Sequence, residues 1–348
     1  MAKLDLKNPT IPLDSIILVT GANGLIASWA VEKFLEAGYR VRGTVRSVAR
    51  CKWMELFFAE RHGPGRFELV EVSDFSVPGV WGPPVKGVAS VVSVAGQAGL
   101  DTVDIDAALA LEYPFVTGLL KAAKDEPGVK SVIFTSSAWA AWTPNPNKKM
   151  TLHEWSYNDE AVALMRSNAS REEKGIGGFM ALKSLLEQKI WDWVSTEKPS
   201  YTFNTILPDT VFGATLSPEN QGIQSTCGMV GMLRKGVNLD AISSIRPQRF
   251  IDTQDLGLLY VAAVTTPGVN GERIFAFGNR FSFFKIRQIL LEIEPGNPIL
   301  TIKDDGWDQT EVPNERSESL LRALSGHGWA TLEDSIADCL NSIKKVDG

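Results

Sequence analysis

The sequence predicts an α/β protein with a doubly wound parallel sheet and a smaller C-terminal lobe. A strand, a glycine-punctuated turn and an amphipathic helix follow one another over residues 16–38. Further apolar strand patterns then alternate with helical patterns, and strands separated by helices form parallel sheets that are covered on both faces. We therefore expect a Rossmann-type nucleotide-binding domain over residues 15–213, after a polar lead-in at 1–14. Residues 214–348 should form mainly a substrate-binding cap lobe, with some returns to the main sheet.

The elements follow from local patterns taken in order. Apolar or alternating runs predict strands, and apolar residues at three- and four-residue spacing predict helices. The predicted strands cover residues 16–19, 40–45, 67–72, 87–94, 130–135, 202–207, 248–252 and 273–278. The predicted helices cover residues 29–38, 48–62, 104–125, 175–196, 255–263, 283–293, 317–325 and 332–345. Residues 139–172, which carry two prolines and polar clusters, are expected to be irregular.

The turn after the first strand has the features that a dinucleotide phosphate needs. Gly21 permits a sharp turn, Gly24 lets a pyrophosphate approach the backbone, and Ala27 allows close packing of helix on strand. The following helix offers unpaired N–H groups and a positive dipole end. An ordinary βα turn is the alternative that this motif alone leaves open. The predicted cofactor contacts of the turn are Gly21, Asn23, Gly24, Leu25 and Ile26.

The end of the second strand distinguishes two nicotinamide cofactors. An acidic residue there would bind a ribose 2′-hydroxyl and favour NAD, whereas cations accommodate the 2′-phosphate of NADP. Residues 46–52 contain Arg46, Arg50 and Lys52 and no acidic residue. We predict NADP(H), with Arg46 and Lys52 at the phosphate. A solvent-exposed basic start of a helix is the alternative.

Later strand ends should contribute further cofactor contacts, because ligands of doubly wound sheets bind outside the carboxyl ends of the strands. Asp74 follows the third strand and could bond the adenine amino group. Small residues after the fourth strand would let the chain pass close to the ribose and phosphates. The predicted contacts there are Val94, Ala95 and Gly96. Ser136 and Ser137 end the fifth strand, where a hydroxyl would face the same crevice.

Several motifs resemble those of the extended short-chain dehydrogenases and reductases. The matching segments are Val19–Gly24, Val41–Arg46, Thr135–Ser137, Phe179 with Lys183, Ile206–Pro208 and Trp329–Ile336. They occur in the expected order across nearly the whole chain. The sequence is most similar to the branch that holds dihydroflavonol and cinnamoyl-CoA reductases and fungal NADPH-dependent aldehyde and ketone reductases.

The resemblance implies a mechanism. Ser137 would bond the substrate carbonyl, and Lys183 would hold the nicotinamide ribose and lower the pKa of a proton-donating tyrosine four residues before it. That tyrosine position holds Phe179, and a phenyl ring has no proton to give. The resemblance also implies cofactor contacts at Thr135, Lys183, Pro208 and Val211.

Phe179 leaves three interpretations open. It could be an engineered Tyr→Phe change that silences an active reductase. It could be natural, with a water or another side chain such as Tyr157 supplying the proton. It could also be natural in a redox-silent NADP-binding cyclase, isomerase or binding protein of secondary metabolism. The leading prediction is an NADPH-dependent aldehyde or ketone reductase of the extended class.

An apolar set of residues is predicted to wall the substrate pocket. Aromatic rings with a few polar groups suit a medium-sized, largely apolar carbonyl compound. Packing of the cap lobe onto the sheet is the alternative role for the tryptophans. The predicted pocket residues are Gln97, Trp139, Trp142, Phe212 and Met229.

Composition argues against several other functions. The net charge is −6 with no basic stripe, which disfavours nucleic-acid binding. The three cysteines and three histidines lack metal-ligand spacing, so we expect free thiols in a reducing compartment and no metal. No apolar run approaches the roughly 18 residues of a membrane span, and no signal segment begins the sequence. We expect a cytoplasmic monomer or homodimer that does not bind membranes.

Overall fold

The computed structural model describes Leu4, residues 6–297 and residues 301–347. The strands are β1 (Ile16–Val19), β2 (Arg40–Val45), β3 (Phe67–Glu71), β4 (Ser90–Ser93), β5 (Ser131–Thr135), β6 (Thr202–Pro208), β7 (Thr210–Phe212), β8 (Gln248–Asp252), β9 (Arg273–Ala276) and β10 (Arg280–Phe281). The helices are α1 (Leu25–Glu36), α2 (Val48–Cys51), α3 (Trp53–His62), α4 (Gly82–Val85), α5 (Ile105–Asp125), α6 (Asp159–Arg166), α7 (Arg171–Lys174), α8 (Gly177–Glu197), α9 (Pro218–Gln221), α10 (Ser225–Lys235), α11 (Leu239–Ser243), α12 (Thr253–Thr265), α13 (Phe283–Ile293), α14 (Glu315–Ser325) and α15 (Leu332–Asp347), with a 3₁₀ turn at Ala138–Ala140.

Seven strands form one parallel sheet in the order β3-β2-β1-β4-β5-β6-β9. Val19 of β1 stands beside Gly43 on one side and Val92 on the other, so the strand order reverses between β1 and β4. Residues 17–19 are fully buried because helices cover both faces of the sheet. The predicted Rossmann-type sheet is confirmed, and its switch point lies at the glycine turn.

The C-terminal part of the chain contributes to two layers. β9 extends the main sheet beside β6, and α12 packs against α1. A smaller sheet runs in the order β10-β8-β7, with β7 parallel to β8 and β10 antiparallel to it. α15 packs against α9 and α10 beside this small sheet. Elements after residue 214 therefore reach both the main sheet and the region over its carboxyl edge.

The prediction that residues 139–172 are irregular holds for 141–158 and is wrong for the rest of the segment, which contains α6 and the first two residues of α7. Polar caps fix both helices. The Asn158 side chain accepts a hydrogen bond from the Ala161 N–H, and Ser170 with Glu173 forms a capping box at the start of α7. The predicted helix over 48–62 is also divided, into α2 and α3, at Lys52.

Candidate active site

The glycine turn has the backbone geometry that its sequence predicts. Gly21 adopts φ +69°, and a Cβ added there would lie 3.2 Å from the Ala95 Cβ. Gly24 begins α1 without a side-chain cap, and the first turn of α1 carries no acidic residue. Within the described part of the chain, the N–H groups of residues 25–27 have no hydrogen-bond acceptor. The buried Asn23 Oδ1 also has no partner there. The free N–H groups of residues 25–27 are donors that fit the pyrophosphate of a dinucleotide, whereas the Asn23 oxygen can only accept a hydrogen bond.

Two side chains that sequence reasoning missed hold this turn. Thr20 Oγ1 accepts hydrogen bonds from Val94 N at 2.9 Å and from Ala95 N at 3.0 Å, which joins β1 to the turn after β4. From α9, Gln221 Nε2 donates to the Asn23 carbonyl at 3.0 Å and to Ser28 Oγ at 3.1 Å. The Thr-Gly step at a strand end is a local signal for Thr20. Nothing local signals Gln221, which reaches the turn from nearly two hundred residues away.

The end of β2 combines the predicted cations with one unexpected carboxylate. Arg46 and Lys52 are exposed. Glu71 stands beside Val45 in the sheet, and its Oε2 accepts a hydrogen bond from Val48 N at 2.8 Å. Sequence reasoning missed Glu71, because it lies at the end of a different strand. The end of β2, where a 2′-phosphate would bind, therefore has two cations, Arg46 and Lys52, and one carboxylate, Glu71.

Asp74 and Gln97 lie on the β3 side of the site. Asp74 Oδ1 accepts hydrogen bonds from Ser76 N and Ser76 Oγ, and these bonds lower the pKa of Asp74. Gln97 is exposed and lines a cavity of about 810 Å³ between the 75–86 segment and α5, together with Phe75 and Leu111. This cavity does not include Ser137 or Lys183. Gln97 thus lines this cavity with Phe75 and Ser76, and neither Trp139 nor Trp142 lines it.

The predicted catalytic residues form one continuous group through Trp139. Ser137 Oγ accepts a hydrogen bond from Trp139 N at 3.2 Å. The Trp139 ring meets the Phe179 ring edge-on, with 6.1 Å between centroids. The Lys183 Nζ atom lies 5.5 Å from the centroid of the same Phe179 ring. The 3₁₀ turn after β5 and the helix α8 therefore bring Ser137, Phe179 and Lys183 to one place.

Lys183 is partly buried, and the charges of two buried carboxylates act on its ammonium. Desolvation lowers the pKa of Lys183, while the negative charges of Glu112 and Glu187 act to raise it. Glu112 is 4% exposed on α5, and its Oε1 accepts hydrogen bonds from Gln97 N at 2.5 Å and Ala98 N at 2.6 Å. Glu112 thereby ties the loop after β4 to the helix that faces Lys183. Sequence reasoning missed it, although a glutamate within an apolar helical stripe is a visible signal.

Glu187 belongs to a fully buried ion pair with Arg273 of β9. The Arg273 Nε and Nη2 atoms donate to the Glu187 carboxylate at 2.9 and 3.0 Å. Ser136 Oγ and Thr205 Oγ1 donate to the same carboxylate at 2.8 and 2.7 Å. Arg273 Nη1 also donates to the carbonyls of Glu154 and Ser156, both at 2.8 Å. The pair thus joins α8, β5, β6 and β9 one helical turn beyond Lys183.

Two tyrosines lie near this group. Tyr260 is fully buried, and its hydroxyl lies 2.7 Å from Thr135 Oγ1, beneath the end of β5. The ring of Tyr157 packs over the Arg273 guanidinium, with 4.2 Å between the ring centroid and the Arg273 Cζ atom. Burial raises the pKa of Tyr157 to about 12. In the described residues, the aromatic side chain that packs against Phe179 is Trp139 rather than a tyrosine.

The substrate-pocket prediction needs correction at two residues. Trp142 is 2% exposed, and Phe212 is fully buried in an aromatic cluster with Phe250 and Phe281. Both rings belong to the main hydrophobic core of the protein. Trp139 is placed beside Phe179, with its Nε1 donating to Gln248 Oε1 at 2.6 Å, and Met229 is half-buried on α10. Pro208 and Val211 are buried in β6 and β7.

Comparison with known proteins places the chain in a family. The model of the NAD dependent epimerase/dehydratase family matches residues 17–160. Ketoreductase adrE of Penicillium rubens is 35% identical over 337 residues, which cover 95% of this chain and 97% of that protein. The chain belongs to the extended short-chain dehydrogenase/reductase family. Another member, aldehyde reductase 2 of Sporidiobolus salmonicolor, is 30% identical and covers 98% of this chain and 99% of its own length.

Solved structures of extended-family reductases share the fold. The yeast methylglyoxal/isovaleraldehyde reductase Gre2, crystallised with NADPH, superposes with a TM-score of 0.78 at 21% identity. The match covers 96% of this chain and 99% of that one. Vestitone reductase from alfalfa superposes with a TM-score of 0.72.

Two kinds of site are absent from the residues that the structure describes. No group of three or more His, Cys, Asp or Glu side chains in that part of the chain could hold a metal ion. Among the same residues, no helix is both long enough and apolar enough to span a bilayer.

Proposed function

We propose that this protein is an NADPH-dependent carbonyl reductase that acts on medium-sized, largely apolar aldehydes or ketones. The observation that carries the proposal is the continuous group of Ser137, Trp139, Phe179 and Lys183 at the edge of the sheet where the α1 N–H groups are free. The names of two relatives, a ketoreductase and an aldehyde reductase, support the same chemistry.

The residues of the site have distinct roles in this proposal. The Ser137 hydroxyl donates a hydrogen bond to the substrate carbonyl oxygen and polarises it. The Lys183 ammonium holds the ribose hydroxyls on the nicotinamide side. When bound, the reduced nicotinamide cofactor supplies the hydride. The rings of Trp139 and Phe179 give the substrate an apolar surface and exclude water, which strengthens the polar contacts of Ser137 and Lys183.

The preference for NADPH rests on the cations after β2. Arg46 and Lys52 are exposed, so their charged groups can turn toward a 2′-phosphate without breaking a buried contact. The Glu71 carboxylate is already bonded to the Val48 N–H, and the cations offset its charge. The NADPH-bound Gre2 structure supports the same cofactor for this fold.

The test is NADPH consumption with aryl ketones, cyclic ketones, aldehydes and β-keto esters, measured for the protein and for Phe179→Tyr. We expect slow turnover by the protein and faster turnover by the variant, because a positioned general acid contributes about 10²–10⁴-fold. If both proteins bind NADPH and neither reduces any carbonyl, the proposal is wrong.

A second candidate function is a redox-silent NADP-binding cyclase or isomerase. The observation that favours it is the Phe179 ring under the Lys183 ammonium, in the position where a phenol would donate its proton. Such a protein would need bound cofactor for product formation but would consume none. Stoichiometric loss of NADPH absorbance during product formation would exclude this candidate.

A further inference from the structure

The site as proposed lacks an assigned proton donor, and the structure narrows the choice. Each of the five tyrosines contacts a residue other than Phe179. Three of them make hydrogen bonds: Tyr39 with the Ile11 carbonyl, Tyr201 with the Leu120 carbonyl and Tyr260 with the Thr135 hydroxyl. The rings of the other two lie against cations, Tyr157 against Arg273 and Tyr113 against Lys189. Burial makes Tyr157 a weaker acid than an ordinary phenol. A tyrosine from another element therefore does not replace the phenol that Phe179 lacks.

Lys183 is a cationic acid that lies beside the Phe179 ring, where a tyrosine would carry its phenol oxygen. Its Nζ atom faces the ring of Phe179 at 5.5 Å, and that ring packs on Trp139, whose backbone N–H is bonded to Ser137. In an enzyme with tyrosine at this position, a phenol oxygen would lie between the lysine and the carbonyl. Here α8, which carries Lys183, packs against the 3₁₀ turn that follows Ser137, and position 179 has no phenol.

Two buried carboxylates sustain the charge of this ammonium. Glu112 approaches from α5 and Glu187 from α8. Glu187 is neutralised by its ion pair with Arg273. Glu112 has no cationic partner among the described residues and is held by the N–H groups of Gln97 and Ala98. Both carboxylates act on Lys183, and Glu112 is the one of the two that has no paired cation in the described part of the chain.

We infer that Lys183 itself donates the proton to the substrate oxygen, with Glu112 as the positioning carboxylate that keeps Lys183 protonated. The inference rests on the proposed reductase function. As the carbonyl carbon accepts hydride from the reduced nicotinamide, the carbonyl oxygen takes a proton from Nζ. The C=O π bond becomes an O–H bond, the ammonium becomes a neutral amine, and the amine regains a proton from water. The lowered pKa of Lys183 makes it a stronger acid than an exposed lysine.

The experiment compares two independent titrations. The first is the rate at which acetic anhydride labels Lys183 across pH in the NADPH-bound protein without substrate, followed by peptide mass spectrometry with exposed Lys148 as the internal standard. The second is the single-turnover rate of carbonyl reduction across the same pH range. If Lys183 is the acid, the rate falls with rising pH at the midpoint where Lys183 becomes reactive to the label.

Glu112→Gln then tests the link between the two titrations. Removing a negative charge disfavours the ammonium, so we expect both midpoints to move to lower pH together, by at least about half a pH unit. Asp125→Asn, at the exposed end of the same helix, should move neither. If Glu112→Gln fails to fold, Glu112→Asp retracts the carboxylate and should give a smaller shift in the same direction.

The outcomes separate the inference from the proposed function. A rate midpoint that differs from the labelling midpoint, or a Glu112 variant that moves only one of them, overturns the inference. Turnover by Phe179→Tyr but none by the parent protein also overturns it, while the reductase function stands. Absence of turnover in both, with NADPH bound, overturns the proposed function itself.

Discussion

The ammonium of Lys183 lies 5.5 Å from the ring centroid of Phe179, the side chain one helical turn before it on α8. Adding a hydroxyl to that ring would place a phenol beside a cation, which favours the phenolate and makes the phenol a stronger acid. We expect Phe179→Tyr to raise the turnover number roughly 10- to 100-fold. This is less than the ~10²–10⁴-fold contribution of a general acid to a site that has none, because the Lys183 ammonium already supplies a proton. Steady-state kinetics with NADPH and a reducible ketone measure the change.

The matched control for this variant is Phe179→Leu, which keeps an apolar side chain and adds no proton. It should leave NADPH affinity within about twofold, since the ring touches Trp139 and Lys183 rather than the glycine turn. Equal turnover numbers for the Tyr and Leu variants would contradict a role for position 179 in proton transfer.

Arg46 is expected to distinguish NADPH from NADH. A charge-assisted hydrogen bond to a phosphate is worth about 1.5–3 kcal/mol, so Arg46→Ala should weaken NADPH binding by about 10- to 100-fold. NADH lacks the 2′-phosphate, and its affinity should change little. Fluorescence titration of both cofactors checks this, with exposed Arg171→Ala as the control. Equal losses for NADPH and NADH would refute the assignment.

The buried ion pair between Arg273 and Glu187 should contribute more to the free energy of unfolding than the half-exposed pair between Arg316 and Glu272, the residue before Arg273. Replacing Arg273 by Met leaves a fully buried carboxylate without its cation, which costs about 3–5 kcal/mol of unfolding free energy. Arg316→Met breaks the half-exposed contact with Glu272 and should cost less than about 1 kcal/mol. Urea denaturation of the two variants gives the comparison, and similar losses would show that burial does not set the difference.

Asp252 should make stability depend on pH in the mildly acidic range. Burial raises the pKa of Asp252 to about 6, against the opposing effect of hydrogen bonds from Ser335 and Gln254. The folded state therefore holds this proton after the unfolded state has lost it, and the free energy of unfolding falls as pH rises from about 4 to above 6. At about 1.4 kcal/mol for each unit of pKa difference, the loss approaches 3 kcal/mol.

Asp252→Asn removes that titration while keeping an amide oxygen to cap α12. The difference in unfolding free energy between the variant and the parent should therefore increase in favour of the variant between pH 4 and pH 7. Denaturant unfolding at several pH values measures the difference. A constant difference across this range would be evidence against a raised pKa at Asp252.

The conformation of the glycine turn could be predicted because its signals are local. A strand, Gly21, Gly24 and the start of α1 are consecutive in sequence, and backbone freedom at those positions is a property of the residues themselves. The buried carboxylates Glu112 and Glu187 could not be assigned in this way. Their partners, the Gln97–Ala98 loop and Arg273, come from other elements, so their roles depend on how those elements pack.

The substrate side was harder to predict for a related reason. Phe212 and Trp142 are aromatic residues after strands, which suggested pocket walls. Which side of β7 faces the core depends on its pairing with β8, and Phe212 stands beside Asp252 in that pairing with its ring in the aromatic cluster. The sequence shows that these side chains are apolar, but it does not show whether they line the substrate pocket or the hydrophobic core.

The hydrogen bonds of Gln221 to the glycine turn mean that the nucleotide-binding half is not a self-contained module. Trp29 of α1 makes a second contact of this kind, because its Nε1 donates to the Ala214 carbonyl at 2.6 Å. Residues 214–221 therefore bind both the glycine turn and α1. A fragment that ends at residue 213 would lose both contacts. Chimeras that exchange C-terminal halves between relatives would consequently alter cofactor affinity along with substrate choice, unless residues 214–221 travel with the N-terminal half.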